Sequence, residues 1–334
     1  MLVNALSTVP DGFGEASVPL VPTEPVSACA LCGGSATHVY ARGYDYELRT
    51  CRNEWTFVQC DACGHVWLNP RPALSALGVI YPRHYYAYDY ETRISPIARW
   101  GKSVLDARKL GAILARLNRA PRTYLDIGCG SGRYLRTMAA RGLAKGDTRG
   151  LELDQRVVDA LVRDGFNVAC ARVEDAEIPA GSIDLITMFH VLEHVDAPDR
   201  VVARIASWLS PGGMLAVETP NLDALDRRLF AGQYWGGYHI PRHWHLFTSG
   251  TLARLLEHAA LEPVATLYQT GHSFWMYSVH HWLRYAGRPR PGLARFFDPI
   301  TNVLPLAAFT VFDKARAALG ARTSAMLMLA RRSL

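Results

Sequence analysis

Residues 238–247 read YHIPRHWHLF, a run that sets three imidazoles, His239, His243 and His245, around Arg242 with no carboxylate among them. Histidines at i and i+4 can grip a metal from one helical face, and histidine is also the side chain that exchanges a proton near neutral pH. Pro241 lies between His239 and His243 and biases Ile240 toward extended backbone, so the pair is not expected to share a helix. Proton handling and packing are the readings left open.

A second group of residues points to a metal. Cys29-Ala-Leu-Cys32 and Cys60-Asp-Ala-Cys63 are two tight pairs, each followed by a glycine, Gly33 or Gly64, that frees the backbone for a knuckle turn. Two knuckles supply four thiolates to one tetrahedral zinc. No coordination position is left for water, so the ion is expected to be structural. Between the pairs, ATHVYARGYDYELRT and EWTFVQC alternate apolar and polar residues as short antiparallel strands do, which makes residues 27–68 a zinc ribbon. Cys51 is left over and reads as a half-buried strand side chain.

The third group is TYLDIGCGSGRYLRTMAARG from Thr123. An apolar strand ends at Asp126, a glycine turn runs through Gly128, Gly130 and Gly132, and a helix with Leu135 and Met138 begins at once. Such a turn lets backbone approach a ligand closely at the positive end of a helix. The next strand, TRGLELD, carries Glu152, placed to accept both hydroxyls of a ribose. A carboxylate beside the turn would repel a pyrophosphate and favour a cofactor bearing ammonium and sulfonium charges.

LDIGCGSG, GLELD, EDAEIPAGSIDLITMFHVLEHV and LSPGGMLAVETPN, in that order and at normal spacing, resemble the successive motifs of class I S-adenosylmethionine-dependent methyltransferases over residues 122–221. The resemblance implies a Rossmann-like, doubly wound α/β fold with a seven-stranded sheet. It implies that Asp126, Gly128 and Gly130 lie near the methionine end of the cofactor, Glu152 on the ribose, Val173, Glu174 and Asp175 near the adenine, and Phe189 and His190 facing the donor. In zinc-ribbon members, including sugar carbon methyltransferases, a loop after the fifth strand carries a glutamate-histidine pair before an aromatic residue and a serine or threonine. The matching residues here are Arg242 and His243, then Phe247 and Thr248. His243 is thereby the expected general base, with His190 and His245 as further catalytic candidates. The missing glutamate favours oxygen over carbon methylation, and Arg242 is expected to meet an anionic group on the acceptor.

These residues need elements to hold them. LITMFHV and MLAVETP read as central parallel strands separated by the helical VVARIASWLS, which Pro211, Gly212 and Gly213 should stop. The expected organisation is a flexible leader over 1–26, the ribbon over 27–68, a tyrosine-rich linker and helical segment over 69–120, and the cofactor domain over 121–334. Insertions at about 222–247 and 271–321 interrupt the last part. The second carries SFWMYSVHHWLRY and ARFFDPITNVLPLAAFTVFDKARAAL, an aromatic and apolar helical cap that could also touch a membrane surface through 273–321. The tyrosines between Tyr81 and Tyr90 could line an acceptor pocket or form a domain seam.

The 334 residues allow a large core, and 49% apolar with 20% charged residues is ordinary globular composition. A net charge of +6 is mild, and acidic and basic residues nearly balance over 27–65, so no nucleic-acid partner is expected. The first residues lack a secretory pattern, and the best apolar run, VLPLAAFTVF, falls short of the roughly 20 residues that span a bilayer. A cytoplasmic enzyme of natural-product type is expected, with S-adenosylmethionine and structural zinc as cofactors and a sugar, glycolipid or secondary metabolite as acceptor. The competing readings are an RNA methyltransferase and a non-catalytic scaffold.

Overall fold

The structure is a computed structural model and describes residues 10, 13–15, 17–82, 96–299 and 301–333. Of the tyrosine run, only Tyr81 falls within them. The chain divides into two compact units. Residues 84–219, 252–267 and 327–334 form one, and residues 1–83, 220–251 and 268–326 form the other.

The first of these units is built on the predicted apolar strands. Among its elements are α1 (Pro96–Leu114), β6 (Tyr124–Ile127), α2 (Arg133–Ala140), β7 (Thr148–Glu152), α3 (Gln155–Arg163), β8 (Asn167–Cys170), β9 (Ile183–Phe189), α4 (Pro198–Trp208) and β10 (Leu209–Pro220). After α5 (Ser249–His258), β12 (Leu261–Gln269) and β13 (Ala325–Arg332) complete a seven-stranded sheet of order β12-β13-β10-β9-β6-β7-β8. Strands β6, β7 and β8 are parallel, as are β6, β9 and β10. The chain steps outward from β6 to β8 and then returns to the other side of β6 as β9. That reversal is a topological switch point, and it opens a crevice at the carboxyl ends of β6 and β9.

Burial explains the elements. Every residue of β6 is buried, as are the first six of β9, so these strands read as continuous apolar runs. Helix α3 buries Val158 and Leu161, spaced i and i+3, and is capped by the Asp154 carboxylate, which accepts from the Arg156 N–H. Helix α4 starts on Pro198 and ends at Trp208. The expected stop at Pro211-Gly212-Gly213 is therefore displaced: these residues form a bulged start to β10, with the register shifting between Leu209 and Met214.

The second unit contains the ribbon. A short pair, β1 (Thr23–Glu24) and β5 (Arg71–Pro72), flanks β2 (Thr37–Gly43), β3 (Trp55–Cys60) and β4 (Val66–Leu68). Strands β2 and β3 are antiparallel, as the alternation between the cysteine pairs predicts, and β4 adds antiparallel to β3. A fourth strand, β11 (His245–Leu246), adds to β4 by pairing His245 with Trp67 and Leu246 with Val66. The histidine run thus enters the ribbon sheet, and its Ile240, Trp244 and Leu246 share one core with Trp55, Phe57 and Leu68. The second insertion, in the same unit, supplies α6 (His272–Tyr285) and α7 (Val303–Ala318), as its apolar pattern predicts.

Candidate active site and metal centre

The sulfurs of Cys29, Cys32, Cys60 and Cys63 all lie within 4.8 Å of one another. Cys29 and Cys63 approach to 3.5 Å, as do Cys32 and Cys60. Gly33 and Gly64 adopt φ of 70° and 74°, and their N–H groups bond back to the Cys29 and Cys60 carbonyls, which closes each knuckle. Four convergent thiols at this separation fit a zinc ion, whose sulfur ligands sit ~2.3 Å from the metal in a tetrahedron. The group could hold a structural zinc.

Around the sheet crevice, the elements place the predicted cofactor residues along one edge. Gly128, Gly130 and Gly132 all have positive φ. A side chain at Gly128 would collide with Val191 at 2.5 Å, and one at Gly132 with Leu161 at 2.3 Å, whereas Gly130 faces open space. Glu152, at the end of β7, accepts the Gly130 N–H at 2.8 Å through one oxygen and the Leu153 N–H at 2.7 Å through the other. After β8, Val173 is buried, Glu174 pairs with Arg172 at 2.7 Å, and Asp175 is exposed. Phe189 ends β9, edge-on to Tyr134 and under the Lys109 ammonium.

Asp126 lies near the end of β6, beside the glycine turn. It is 2% exposed, and one oxygen accepts the Thr187 hydroxyl at 2.7 Å. Burial outweighs that bond and pushes its pKa up to about 7.

His190 sits between two carboxylates. It follows β9 with φ of 55°, its Nδ1 lies 3.2 Å from Glu193, and its Nε2 lies 3.4 Å from Glu218. Burial opposes its charge, but the two carboxylates overcome that and raise its pKa to about 9. With 41% of the side chain exposed, water screens part of this effect. The two carboxylates favour the charged imidazole, which weakens His190 as a base near neutral pH. Glu218 is buried; Lys109 and His190 overcome its desolvation and hold it well below the ordinary carboxylate range.

Sequence reasoning missed the face of α1 that completes this network. Lys102, Asp106 and Lys109 recur at i, i+4 and i+7. Asp106 accepts from Tyr134 at 2.7 Å and pairs with Arg133 at 2.9 Å, while Lys109 pairs with Glu218. Burial and the neighbouring Arg133 lower the Lys102 pKa to about 8. The signal was a polar stripe at helical spacing in a segment read as linker and helix.

In the ribbon unit the histidine run is almost wholly buried. Arg242 is fully buried and forks onto both oxygens of Asp45 at 3.0 Å, while its Nε donates to the Ile80 carbonyl. It therefore cannot meet an acceptor's anion: its charge is spent on Asp45. His239 lies 2.8 Å from Glu47. His245 is buried and stacks on His65, with 3.1 Å between ring nitrogens, an arrangement that favours packing over catalysis. His243 is different. Its Nδ1 lies 2.8 Å from the Gly237 carbonyl, an arrangement that puts the proton on Nδ1 and leaves Nε2 as the accepting nitrogen.

A seven-stranded sheet of order β12-β13-β10-β9-β6-β7-β8, with a glycine turn after β6 and an acidic residue ending β7, matches the Rossmann-like fold of class I S-adenosylmethionine-dependent methyltransferases. A methyltransferase domain family model matches residues 98–266, half of the chain, and the chain belongs to that family. Ubiquinone biosynthesis O-methyltransferase, mitochondrial, of Candida albicans is 32% identical over 130 residues, covering 35% of this chain and 39% of that protein. Its counterpart in Neisseria meningitidis serogroup C is 30% identical over 162 residues, 44% of this chain and 67% of that protein. The chain thus spans well under half of the first relative's length. A solved Burkholderia thailandensis 1,6-didemethyltoxoflavin-N1-methyltransferase is 18% identical, with a TM-score of 0.46 over 84% of this chain and 96% of that one.

Proposed function

We propose that the protein transfers a methyl group from S-adenosylmethionine to a hydroxyl oxygen of a small-molecule acceptor, a sugar, glycolipid or secondary metabolite. The observation that carries this reading is the sheet edge where open space at Gly130 meets the Glu152 carboxylate. Similarity to two named O-methyltransferases supports oxygen as the methylated atom.

When bound, the cofactor supplies an electrophilic methyl on a sulfonium. Glu152 would exchange the backbone N–H groups it now accepts for the ribose hydroxyls. Gly130 admits the ligand against the backbone, and buried Asp126 adds negative potential beneath the cofactor's positive charges. Val173, Glu174 and Asp175 would border the adenine, and Phe189 the donor end. His190, held as a cation, would fix the loop after β9 through Glu193 and Glu218.

For the acceptor, His243 is the proposed base. Its Nε2 lone pair, set by the bond from Nδ1 to Gly237, would take the hydroxyl proton as the oxygen attacks in line. Replacing His243 with alanine should lower kcat by about 10²- to 10⁴-fold with little change in cofactor affinity. Mass spectrometry of candidate acceptors incubated with labelled cofactor reads this out. A fully active His243→Ala variant would remove the base assignment, and label appearing on carbon would remove the O-methylation reading.

A further inference from the structure

The residues from α6 to the end of α7 are unusual in what they leave in water. Trp282, Leu293, Phe296, Leu304, Val311 and Leu319 are all exposed, Leu304 to 74% and Val311 to 68%. Helix α7 has a well-anchored inner side: Asp313 is buried, accepting from the Gly271 N–H and the Trp275 indole, and Phe309 stacks on Trp275. Its outer side carries Leu304, Ala308, Val311 and Ala315 at i, i+4, i+7 and i+11, a continuous apolar stripe exposed along its length. Scattered exposed leucines need no account, but a stripe facing water along the length of one helix does.

Charge decides what covers it. Residues 282–322 hold seven arginines and lysines against two acids, Asp298 and Asp313, so the segment carries most of the chain's net +6. Arg288, Arg290, Arg295 and Lys314 are exposed among the apolar side chains, whereas Asp313 is buried and paired with Arg316. A symmetric pairing of two copies through this face would set basic residues against basic residues. Among the described residues, no helix is long and apolar enough to cross a membrane.

We propose that this face is an interfacial docking surface for an anionic lipid bilayer. The α7 stripe enters the headgroup boundary, and the exposed Arg288, Arg290, Arg295 and Lys314 meet lipid phosphates. This goes beyond the methyl-transfer reading and does not depend on it.

The test is sedimentation of the full chain with vesicles of phosphatidylcholine alone or mixed with phosphatidylglycerol. Binding to the mixed vesicles only, weakening as salt is raised, is expected. The triple variant R288E/R290E/R295E should lose on the order of a hundredfold in vesicle affinity, at about fivefold per exposed basic residue. The L304E/V311E variant should lose binding while its affinity for S-adenosylmethionine stays unchanged. If L304E/V311E does not fold, the arginine variant, altered only at exposed positions, carries the test. Failure to sediment with either vesicle, or equal binding to both, would overturn the proposal. So would size exclusion showing that L304E/V311E turns a dimer into a monomer without altering sedimentation, since a second copy would then be the occupant.

Discussion

Asp126 and His190 both titrate above their ordinary values, which favours a neutral carboxyl at the one and a charged imidazole at the other. Asp126, raised to about 7, favours its neutral form in the folded chain. That contribution to stability is full below its ordinary value of 3.8 and is lost as pH climbs through 7. A cationic ligand reverses the preference, because it stabilises the ionised carboxylate. Affinity for S-adenosylmethionine should therefore rise with pH by up to about tenfold per unit as Asp126 ionises, and level off above 7. Asp126→Asn should flatten that part of the profile, and calorimetry across pH checks it; a profile unchanged in the variant would contradict the assignment. The glycine turn and Glu152 were legible in sequence because their chemistry is local. The protonation of His190 was not, since it depends on Glu218 and, through Glu218, on Lys109, which arrive from separate elements.

Strand β11 shows how one short element redirects a reading. YHIPRHWHLF left proton handling and packing open, and pairing with β4 draws it into the ribbon core and sets Arg242 against Asp45. Desolvation acts against the Asp45 charge, but the Arg242 contact prevails and holds its carboxyl below the ordinary range. Removing only Arg242 leaves a buried anion unbalanced, so Arg242→Met should cost about 3–5 kcal/mol in urea unfolding. The double variant Asp45→Asn/Arg242→Met should lose distinctly less. Equal losses in the two variants would show that packing, not charge, dominates there. Periodicity found the parallel strands, α6 and α7, because buried faces impose their spacing on sequence. It could not find β11, two residues long and held by a partner far away in the chain.

Across the whole molecule, the chain forms two compact units, with the cysteine cluster in one and the glycine turn in the other. If zinc holds the ribbon, its loss should loosen the unit that contains it and spare the crevice. Exposure to a strong chelator should release one zinc per chain and increase hydrogen exchange in β2, β3 and β4, with cofactor affinity retained; metal analysis and exchange mass spectrometry give the readout. Iron in place of zinc, or no metal at all, would contradict the ribbon assignment. The most direct measurement of the central claim is a calorimetric titration of S-adenosylhomocysteine into the wild-type protein and Glu152→Ala. Saturable binding that weakens by about 10- to 100-fold on loss of the carboxylate is predicted, as for two hydrogen bonds to a charged acceptor. Equal affinity in both proteins, or no binding to either, would contradict it.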